Sequence, residues 1–444
     1  MPFLRWKSIW RVLIVIADRG KMELNQESVD MAGKRLLILG AVRPIDDVVK
    51  AAQEMGVYTI ATDYYPDSPV KRIADMALDI STHDVDALTE EAVRLRVDGV
   101  FAACVDANLE PCRRLADNLG LPFYATAEQI AITCDKHLFK KACKRAGIPV
   151  VDEYSVEDLP STPDELQRLL PLIIKPYDSA GSKGISVVRT ADALDGAVEF
   201  ARSFSPTGNV LAEPFIEGWD DSCLYLTIQD GVHSLSAMCD RIMEPCLTSG
   251  APQPAELRFP SKHIDEYYRS LDGPIKALIR DLGIKNGTMF IQLFAKDGKF
   301  MAFESGFRTN GARNYVIESD ANGINSLVMH IRHALGTGFS GWEAEECNDA
   351  RFDSCYSIMA VNLRPGVIER IEGLDEIANA DGFLDMAVYY ERGDTVDQSV
   401  EGTLKQEFAR IYFKAPSEDA LDEIVEWARG TLRVVGADGE LLNR

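Results

Sequence analysis

Residues 288–308 carry oxygen-bearing side chains at a spacing that suits a cation. Two apolar runs are joined there by an Asp-Gly dipeptide, which is typical of a two-residue hairpin turn. Pairing across that turn places Gln292 and Glu304 at comparable positions on adjacent strands. Such oxygen ligands suit Mg²⁺, which takes waters and phosphate oxygens as its other ligands. Arg308 would then face a transferred phosphoryl group. A surface hairpin is the alternative, but both strands are too apolar to fit it comfortably.

A lysine and a glycine-rich loop lie close together in residues 172–188. Lys175 occupies the end of a buried-strand pattern, and a Gly-Ser-Lys-Gly sequence with Gly181, Ser182 and Gly184 follows. Glycine permits positive φ and close backbone approach, so successive N–H groups can converge on phosphate oxygens. A lysine facing that loop would add a charge. A plain hairpin with solvated lysines explains this segment equally well.

A third segment, residues 209–220, leads from a short apolar run into Glu213 and then a glycine turn before Asp220. The edge of an adenine ring needs two or three hydrogen bonds, which main-chain groups beside an acid can supply. A glycine turn flanked by acids is the simpler explanation of this segment alone.

The composition is that of an ordinary globular protein and excludes some classes of partner. The chain has 444 residues, 46% of them hydrophobic, and a formal net charge of -23. No basic patch is evident, so nucleic acid is not an expected partner. The apolar run at 8–17 is shorter than the ~20 residues of a membrane-spanning helix. We therefore expect no membrane partner, a cytoplasmic location, and an N-terminal extension rather than a signal peptide.

The cysteines predict neither a zinc site nor a disulfide framework. Nine of them are scattered without a C-x-x-C pair or a Cys/His cluster at metal spacing. We expect reduced thiols in the core.

Strand and helix patterns alternate from Lys34 onward, which predicts a parallel sheet. No G-x-G-x-x-G follows Gly40, so dinucleotide binding is not favoured. A helix is predicted over 130–146, and another begins after Thr162, where Pro occupies the first helical position. Beyond residue 349 the pattern is β-rich, and a helix over 417–429 closes the chain.

The segments 172–188, 209–220 and 288–308, in this order along the chain and preceded by Lys136, resemble the ATP-grasp superfamily, in particular its carbamoyl-phosphate-synthase-like and amino-acid ligase members. The resemblance implies an α/β and α+β fold with a pre-grasp parallel sheet, central ATP-clamping subdomains and a β-rich C-terminal portion. The implied division is an extension over 1–33, a pre-ATP-grasp domain over 34–127, an ATP-grasp domain over 128–340 with a lid at about 150–215, and a C-terminal portion over 341–444.

The resemblance also implies roles for individual residues. Lys175 and Arg308 would be the catalytic pair, and Gln292 with Glu304 would hold Mg²⁺. The residues implied to bind ATP are Lys136, Lys175, Gly181, Ser182, Gly184, Glu213, Pro214, Ile216 and Asp220. The lysines and the glycine loop would contact phosphates, Glu213 to Ile216 would meet the adenine, and Asp220 would take the ribose.

One residue departs from the pattern of the family, which usually has Glu-x-Asn-x-Arg where this chain has Gly306 in place of Asn. The number of magnesium ions, one or two, is therefore left open.

The implied activity is an ATP-dependent carboxylate–amine ligase that works through an acyl phosphate, with small-molecule carboxylate and amine substrates. A bicarbonate-dependent carboxylase of the same superfamily and a non-catalytic nucleotide-binding regulator are the alternatives. Arg241 and Arg258 could pair with a substrate carboxylate or be solvated. Many relatives of this kind are dimers, but the sequence alone does not reveal the oligomeric state.

Overall fold

The computed structural model describes residues 31–41, 45–177, 183–245, 252–339, 348–401 and 403–443. The predicted extension up to residue 30, with Gly181 and Ser182 of the glycine loop, lies outside these residues. Within the described ranges no helix is both long and apolar enough to cross a bilayer.

A parallel sheet of four strands begins the described chain, as the sequence predicts. Its strands are β1 (Arg35–Leu39), β2 (Tyr58–Thr62), β3 (Met76–Leu78) and β4 (Gly99–Phe101), and the helices are α1 (Asp46–Glu54), α2 (Val85–Leu95) and α3 (Leu109–Leu119). The strand order is β3-β2-β1-β4. Strands β1 and β2 are buried at all but their first residue, as expected for strands covered on both faces. Asp106 follows β4, and ligands of open α/β sheets usually bind beyond the carboxyl ends of the strands.

Two helices, rather than the single helix predicted over 130–146, connect this sheet to the rest of the chain. They are α4 (Ala127–Cys134) and α5 (Lys136–Ala146). Asp135 has an extended backbone, and its carboxylate accepts a hydrogen bond from Leu138 N at 2.8 Å. The prediction was wrong because Asp135 caps a new helix instead of continuing the first. Lys136 consequently becomes the first residue of α5.

A small antiparallel sheet follows. Its strands are β5 (Tyr154–Ser155), β6 (Leu172–Pro176), β7 (Ser186–Val188) and β8 (Val210–Pro214), and its helices are α6 (Pro163–Gln167) and α7 (Leu194–Ser203). The strand order is β5-β8-β6-β7. The predicted hairpin around the glycine loop is confirmed as β6 and β7, and α6 begins at Pro163 as predicted.

An antiparallel sheet of eight strands forms the centre of the molecule. Its strands are β9 (Asp220–Gln229), β10 (Val232–Pro245), β11 (Pro252–Phe259), β12 (Gly287–Lys296), β13 (Lys299–Gly306), β14 (Cys355–Asn362), β16 (Phe383–Val388) and β18 (Glu407–Ala415). The order is β13-β12-β9-β10-β11-β14-β18-β16. One hydrophobic core joins this sheet to α5 and to the parallel sheet through residues such as Leu226, Phe139 and Leu37.

The helices of this central part are α8 (Ile264–Glu266), α9 (Asp272–Asp281), α10 (Tyr315–Asn322) and α11 (Ser326–Ala334), and a π-helical turn (Tyr267–Leu271) joins the first two.

The last part of the chain is β-rich, as predicted. The remaining strands, β15 (Gly366–Glu372), β17 (Thr395–Val396) and β19 (Arg433–Gly436), form a sheet in the order β17-β15-β19, and the helices are α12 (Leu374–Ala378) and α13 (Glu418–Thr431). The predicted closing helix is confirmed as α13, with Ser417 as its N-cap. However, β14, β16 and β18 extend the central sheet, so the β-rich part is continuous with it.

Candidate active site

A cavity of about 1340 Å³ lies between the small sheet and the central sheet. Lys175 and Glu213 line it from the small sheet, and Gln292 and Glu304 line it from the central sheet. Arg308 lines it as well. Pockets for single small ligands usually measure about 300–1,000 Å³. The cavity therefore has room for a nucleotide together with a second small molecule.

Lys175 and Glu213 form a buried ion pair at one wall of the cavity. Ile173 lies directly opposite Glu213 in the β6–β8 pairing, so Lys175, two residues further along β6, is diagonal to Glu213 on the same face. The Lys175 Nζ to Glu213 Oε1 distance is 2.7 Å. Burial opposes ionisation of Glu213, but Lys175 and Lys140 outweigh it and hold the pKa of the carboxyl below its usual range. Burial lowers the pKa of Lys175, against the opposing effect of Glu213.

Lys136 extends from the start of α5 toward the predicted metal-binding residues. Its Nζ lies 3.6 Å from Oε1 of Glu304. Burial disfavours the ammonium, but Glu304 and other nearby carboxylates outweigh it and raise the pKa of Lys136 above its ordinary value. Asp135 caps α5 and so determines that the helix begins at Lys136. Lys136 lines the cavity from this first position of the helix.

Gln292 and Glu304 lie directly opposite each other on β12 and β13, which confirms their predicted pairing. The connecting turn has positive φ at Asp297 (48°) and Gly298 (74°), as a type I′ hairpin turn requires. Arg241 donates to Gln292 Oε1 at 3.1 Å and also pairs with Asp221 at 2.9 Å.

These two oxygen-bearing side chains fit a divalent cation that completes its shell with phosphate oxygens and water. No group of three His, Cys, Asp or Glu side chains at metal-binding separation occurs among the residues that the structure describes. Asp221 pairs with the same Arg241 that donates to Gln292. Burial raises the pKa of Asp221 to about 6 despite the opposing effect of this arginine.

Phe290 occupies the space next to Gly306. The two residues are direct partners across β12 and β13, and a Cβ added at Gly306 would come within 2.3 Å of Phe290 Cε1. The Arg308 guanidinium lies over the same ring, 5.1 Å from its centroid. The aromatic ring thus leaves no room for a side chain at residue 306 unless it moves, and its face contacts the arginine.

Asp106 holds Arg308 from the parallel sheet. Arg308 Nε and Nη2 each donate to one carboxylate oxygen of Asp106 at 2.6 Å, and Nη1 donates to Thr309 O at 3.1 Å. A bidentate pair of this kind fixes the plane of the guanidinium. The sequence analysis missed Asp106, although its place just after a buried parallel strand was a usable signal.

The remaining predicted nucleotide residues lie around the same cavity. Pro214 and Ile216 line it, and between them Phe215 N donates to Pro171 O at 3.0 Å, which fixes the path of the segment. Asp220 lines it too and pairs with Lys262 at 3.0 Å and His263 at 2.8 Å.

Gly184 adopts a φ of +72° and is buried against Phe204, where an added Cβ would meet Phe204 Cβ at 3.0 Å. Glycine is therefore required at this end of the loop by both conformation and space. Gly181 and Ser182 lie outside the described residues.

Arg241 and Arg258 also line the cavity. Arg241 is paired with Asp221, so the expectation that it could be solvated is wrong. Arg258 pairs with Glu256 at 2.9 Å and with Asp422.

The cysteines within the described ranges are free thiols, and Cys112, Cys143, Cys223 and Cys239 are buried. The prediction that cysteines lie in the core is confirmed for these four.

Residues 135–340 match the family model for the carbamoyl-phosphate synthase L chain, ATP binding domain. Lys136 and Arg308 lie within that span, as do the other proposed nucleotide and metal residues. The resemblance to ATP-grasp proteins is therefore confirmed.

A curated relative and two solved structures extend this comparison. The formate-dependent phosphoribosylglycinamide formyltransferase of Haloquadratum walsbyi is 29% identical over 199 residues, which cover 44% of this chain and 49% of the relative. The chain thus spans about half the length of curated relatives of this kind.

The L-amino acid ligase from Bacillus licheniformis has a TM-score of 0.73 at 17% identity, over 91% of this chain and 99% of that chain. The biotin carboxylase domain of the Hydrogenobacter thermophilus 2-oxoglutarate carboxylase, in complex with MgADP, ADP and bicarbonate, has a TM-score of 0.70 at 18% identity, over 91% of each chain. Both establish the ATP-grasp fold.

Proposed function

We propose that this ATP-grasp chain is an ATP-dependent ligase that joins a carboxylate to an amine through an acyl phosphate. The observation that supports it is the meeting of two lysines, an amide–carboxylate pair and an arginine in one cavity. Lys136, Lys175, Gln292, Glu304 and Arg308 come from separate parts of the sequence, yet all line the same space. Each of these groups suits a polyphosphate or its cation.

The nucleotide is proposed to lie between the small sheet and the central sheet. Lys136 and Lys175 would contact its phosphates, with Gly181, Ser182 and Gly184 closing over them. The Glu213 carboxylate is held by lysines, so contact with the adenine would fall to the main chain from Glu213 to Ile216. Asp220 would accept hydrogen bonds from the ribose.

Gln292 and Glu304 are proposed to hold one Mg²⁺. Magnesium bound there would neutralise charge on the transferred phosphoryl group. A second ion would lack a side-chain ligand at residue 306, because glycine has no side-chain oxygen. Arg241 donates a hydrogen bond to the side-chain oxygen of Gln292, which fixes the orientation of that amide. Lys136 Nζ lies beside Oε1 of Glu304.

The reaction would consist of two displacements. A substrate carboxylate oxygen attacks the γ-phosphorus, the bond to the β-phosphate oxygen breaks, and ADP leaves. The amine nitrogen then attacks the acyl carbon, phosphate departs with the bonding electrons, and the amine loses a proton. The protein supplies position and positive charge, chiefly through Lys175 and Arg308, rather than a nucleophile.

Small carboxylates and amines are the proposed substrates, and a homodimer is the proposed assembly, on the precedent of the dimeric biotin carboxylase domain. Sedimentation equilibrium would test the assembly, and a monomer at micromolar concentration would contradict it.

Phosphate release from Mg-ATP in the presence of pooled carboxylic acids and amines tests the activity. We expect release that requires one member of each pool and is lost in Lys175→Ala. Release that requires bicarbonate would favour the carboxylase, and ATP binding without release in any pool would favour the regulator.

A further inference from the structure

Lys140 is a buried lysine of α5 to which the sequence analysis assigned no role. Its exposed fraction is 1%, and its Nζ lies 2.5 Å from Oε1 of Glu213. Burying an ammonium group is unfavourable unless it is paired and hydrogen-bonded. Glu213 satisfies that requirement, but Glu213 already has a partner in Lys175.

Both lysines contact the same oxygen atom, since Lys175 Nζ lies 2.7 Å from Glu213 Oε1. These two ammonium groups and the Glu213 carboxylate alone carry one net positive charge, which Glu153, 3.6 Å from Lys140, partly offsets. A pair formed by Lys175 and Glu213 alone would be neutral. Lys140 therefore gives the Glu213 carboxylate a second cationic partner, so that Lys175 is not its only one.

Lys140 is placed behind Glu213. Lys175 and Glu213 line the cavity, but Lys140 is not among the described residues that do so. A second carboxylate, Glu153, has its Oε2 3.6 Å from Lys140 Nζ and its Oε1 against His137. These contacts hold Lys140 next to Glu153 and do not depend on the position of Lys175.

We propose that Lys140 is a positioning residue for the ATP phosphates, and that it acts by sharing the Glu213 carboxylate so that the Lys175 ammonium can turn to the nucleotide. The inference rests on the proposed function, because it requires the cavity to bind ATP. Without Lys140, the Glu213 carboxylate would hold Lys175, and a phosphate would have to compete with it for the same ammonium.

Calorimetric titration with the non-hydrolysable analogue adenylyl-imidodiphosphate and Mg²⁺ tests this proposal. We expect Lys140→Met to bind it about tenfold or more weakly than wild type, the effect of one lost phosphate contact, and Lys140→Arg to bind nearly as well as wild type. Lys141→Met is the matched control, since Lys141 is exposed on the same helix and forms no ion pair among the described residues. It should bind like wild type.

The double variant Lys140→Met with Glu213→Gln separates positioning from a merely structural role. Removing the competing carboxylate frees Lys175, so we expect the double variant to bind the analogue within about threefold of wild type. On a free-energy scale, the remaining loss is then less than half of the roughly tenfold loss expected for Lys140→Met. Circular dichroism melting of every variant verifies folding. If Lys140→Met does not fold, Lys140→Gln, which keeps a polar but uncharged side chain beside Glu213, replaces it in both comparisons.

Two results would overturn the positioning role while leaving ATP binding intact: Lys140→Met binding as well as Lys141→Met, or a double variant as weak as Lys140→Met. If wild type does not bind the analogue at all, the proposed function and this inference fail together.

Discussion

Arg308 and Asp106 are 202 positions apart in sequence, and they form a bidentate ion pair with two 2.6 Å contacts. The pair joins the parallel sheet to the end of β13. Because both residues line the cavity, the orientation of the arginine there depends on a residue from a different sheet. The guanidinium of Arg308 also lies over the face of the Phe290 ring.

We predict that Asp106→Asn lowers turnover. An amide has a single acceptor oxygen, so one charge-assisted hydrogen bond of about 1.5–3 kcal/mol is lost, which corresponds to about tenfold to a hundredfold in rate. Affinity for the ATP analogue should change little. Steady-state phosphate release and calorimetry measure the two effects. Asp117→Asn, which breaks an exposed pair with Arg113, is the control. Faster turnover in Asp106→Asn would instead mean that the pair restrains Arg308.

Substitution at Gly306 should destabilise the fold. An alanine Cβ there would lie 2.3 Å from Phe290 Cε1, so the ring must move, and we expect Gly306→Ala to lower the free energy of unfolding by about 1–3 kcal/mol. Gly196→Ala in α7 meets nothing within 4 Å and should raise it by about 0.5–1 kcal/mol. Urea denaturation gives both values.

Adding Phe290→Leu to Gly306→Ala should recover part of the loss. If Gly306→Ala is as stable as wild type, the close packing of this pair is contradicted.

One manganese ion per chain is the predicted stoichiometry with the ATP analogue bound. Gln292 and Glu304 provide side-chain oxygens for one ion, and Gly306 provides none. Titration followed by electron paramagnetic resonance counts bound Mn²⁺ without requiring turnover. Glu304→Gln should weaken Mn²⁺ binding by about tenfold, as expected when a charged ligand is neutralised, and Glu128→Gln, exposed on α4, should not. Two equally tight ions would contradict the single site.

Glu318 should make stability depend on pH. Its carboxyl is buried, accepts hydrogen bonds from Asn314 at 2.8 Å and Ser326 at 2.9 Å, and burial raises its pKa to about 7. The folded state therefore binds a proton more tightly than the unfolded state, whose pKa is about 4.3. The resulting stabilisation is complete below the unfolded pKa and is lost as pH rises through the folded pKa.

Glu318→Gln does not titrate, so its free energy of unfolding relative to wild type should increase between about pH 5 and 8. Urea denaturation across that range measures the trend, with Glu376→Gln, at an exposed position of α12, as the control. A parallel pH dependence in wild type and Glu318→Gln would rule out the raised pKa.

The sequence could predict those parts of the site whose geometry is local. The β12–β13 hairpin follows from the Asp-Gly turn, and the β6–β7 hairpin follows from its glycines. The exact partner of Gln292 does not follow from the turn, because a bulge at Phe303 shifts the register and brings Glu304 opposite Gln292. Contacts between distant segments left no such trace. Nothing periodic links Asp106 to Arg308, and Lys140 looks like any other lysine of an amphipathic helix until Glu213 is seen beside it.

The break at Asp135 could not be inferred from hydrophobic periodicity because α4 and α5 both continue the helical pattern. A local cap outweighed that pattern. The continuity of β14 and β18 with the central sheet is likewise a tertiary pairing that each strand sequence leaves open.

The most direct test of the central claim is to follow ¹⁸O from labelled carboxylic acids during turnover with Mg-ATP and amines. Attack of the carboxylate on the γ-phosphorus leaves one substrate oxygen on the phosphate that is later displaced. We expect mass spectrometry to find one ¹⁸O in the released phosphate, and none when Lys175→Ala replaces wild type. Release of only unlabelled phosphate by the wild type would mean that the labelled carboxylate is not the phosphoryl acceptor, and would contradict the acyl-phosphate account.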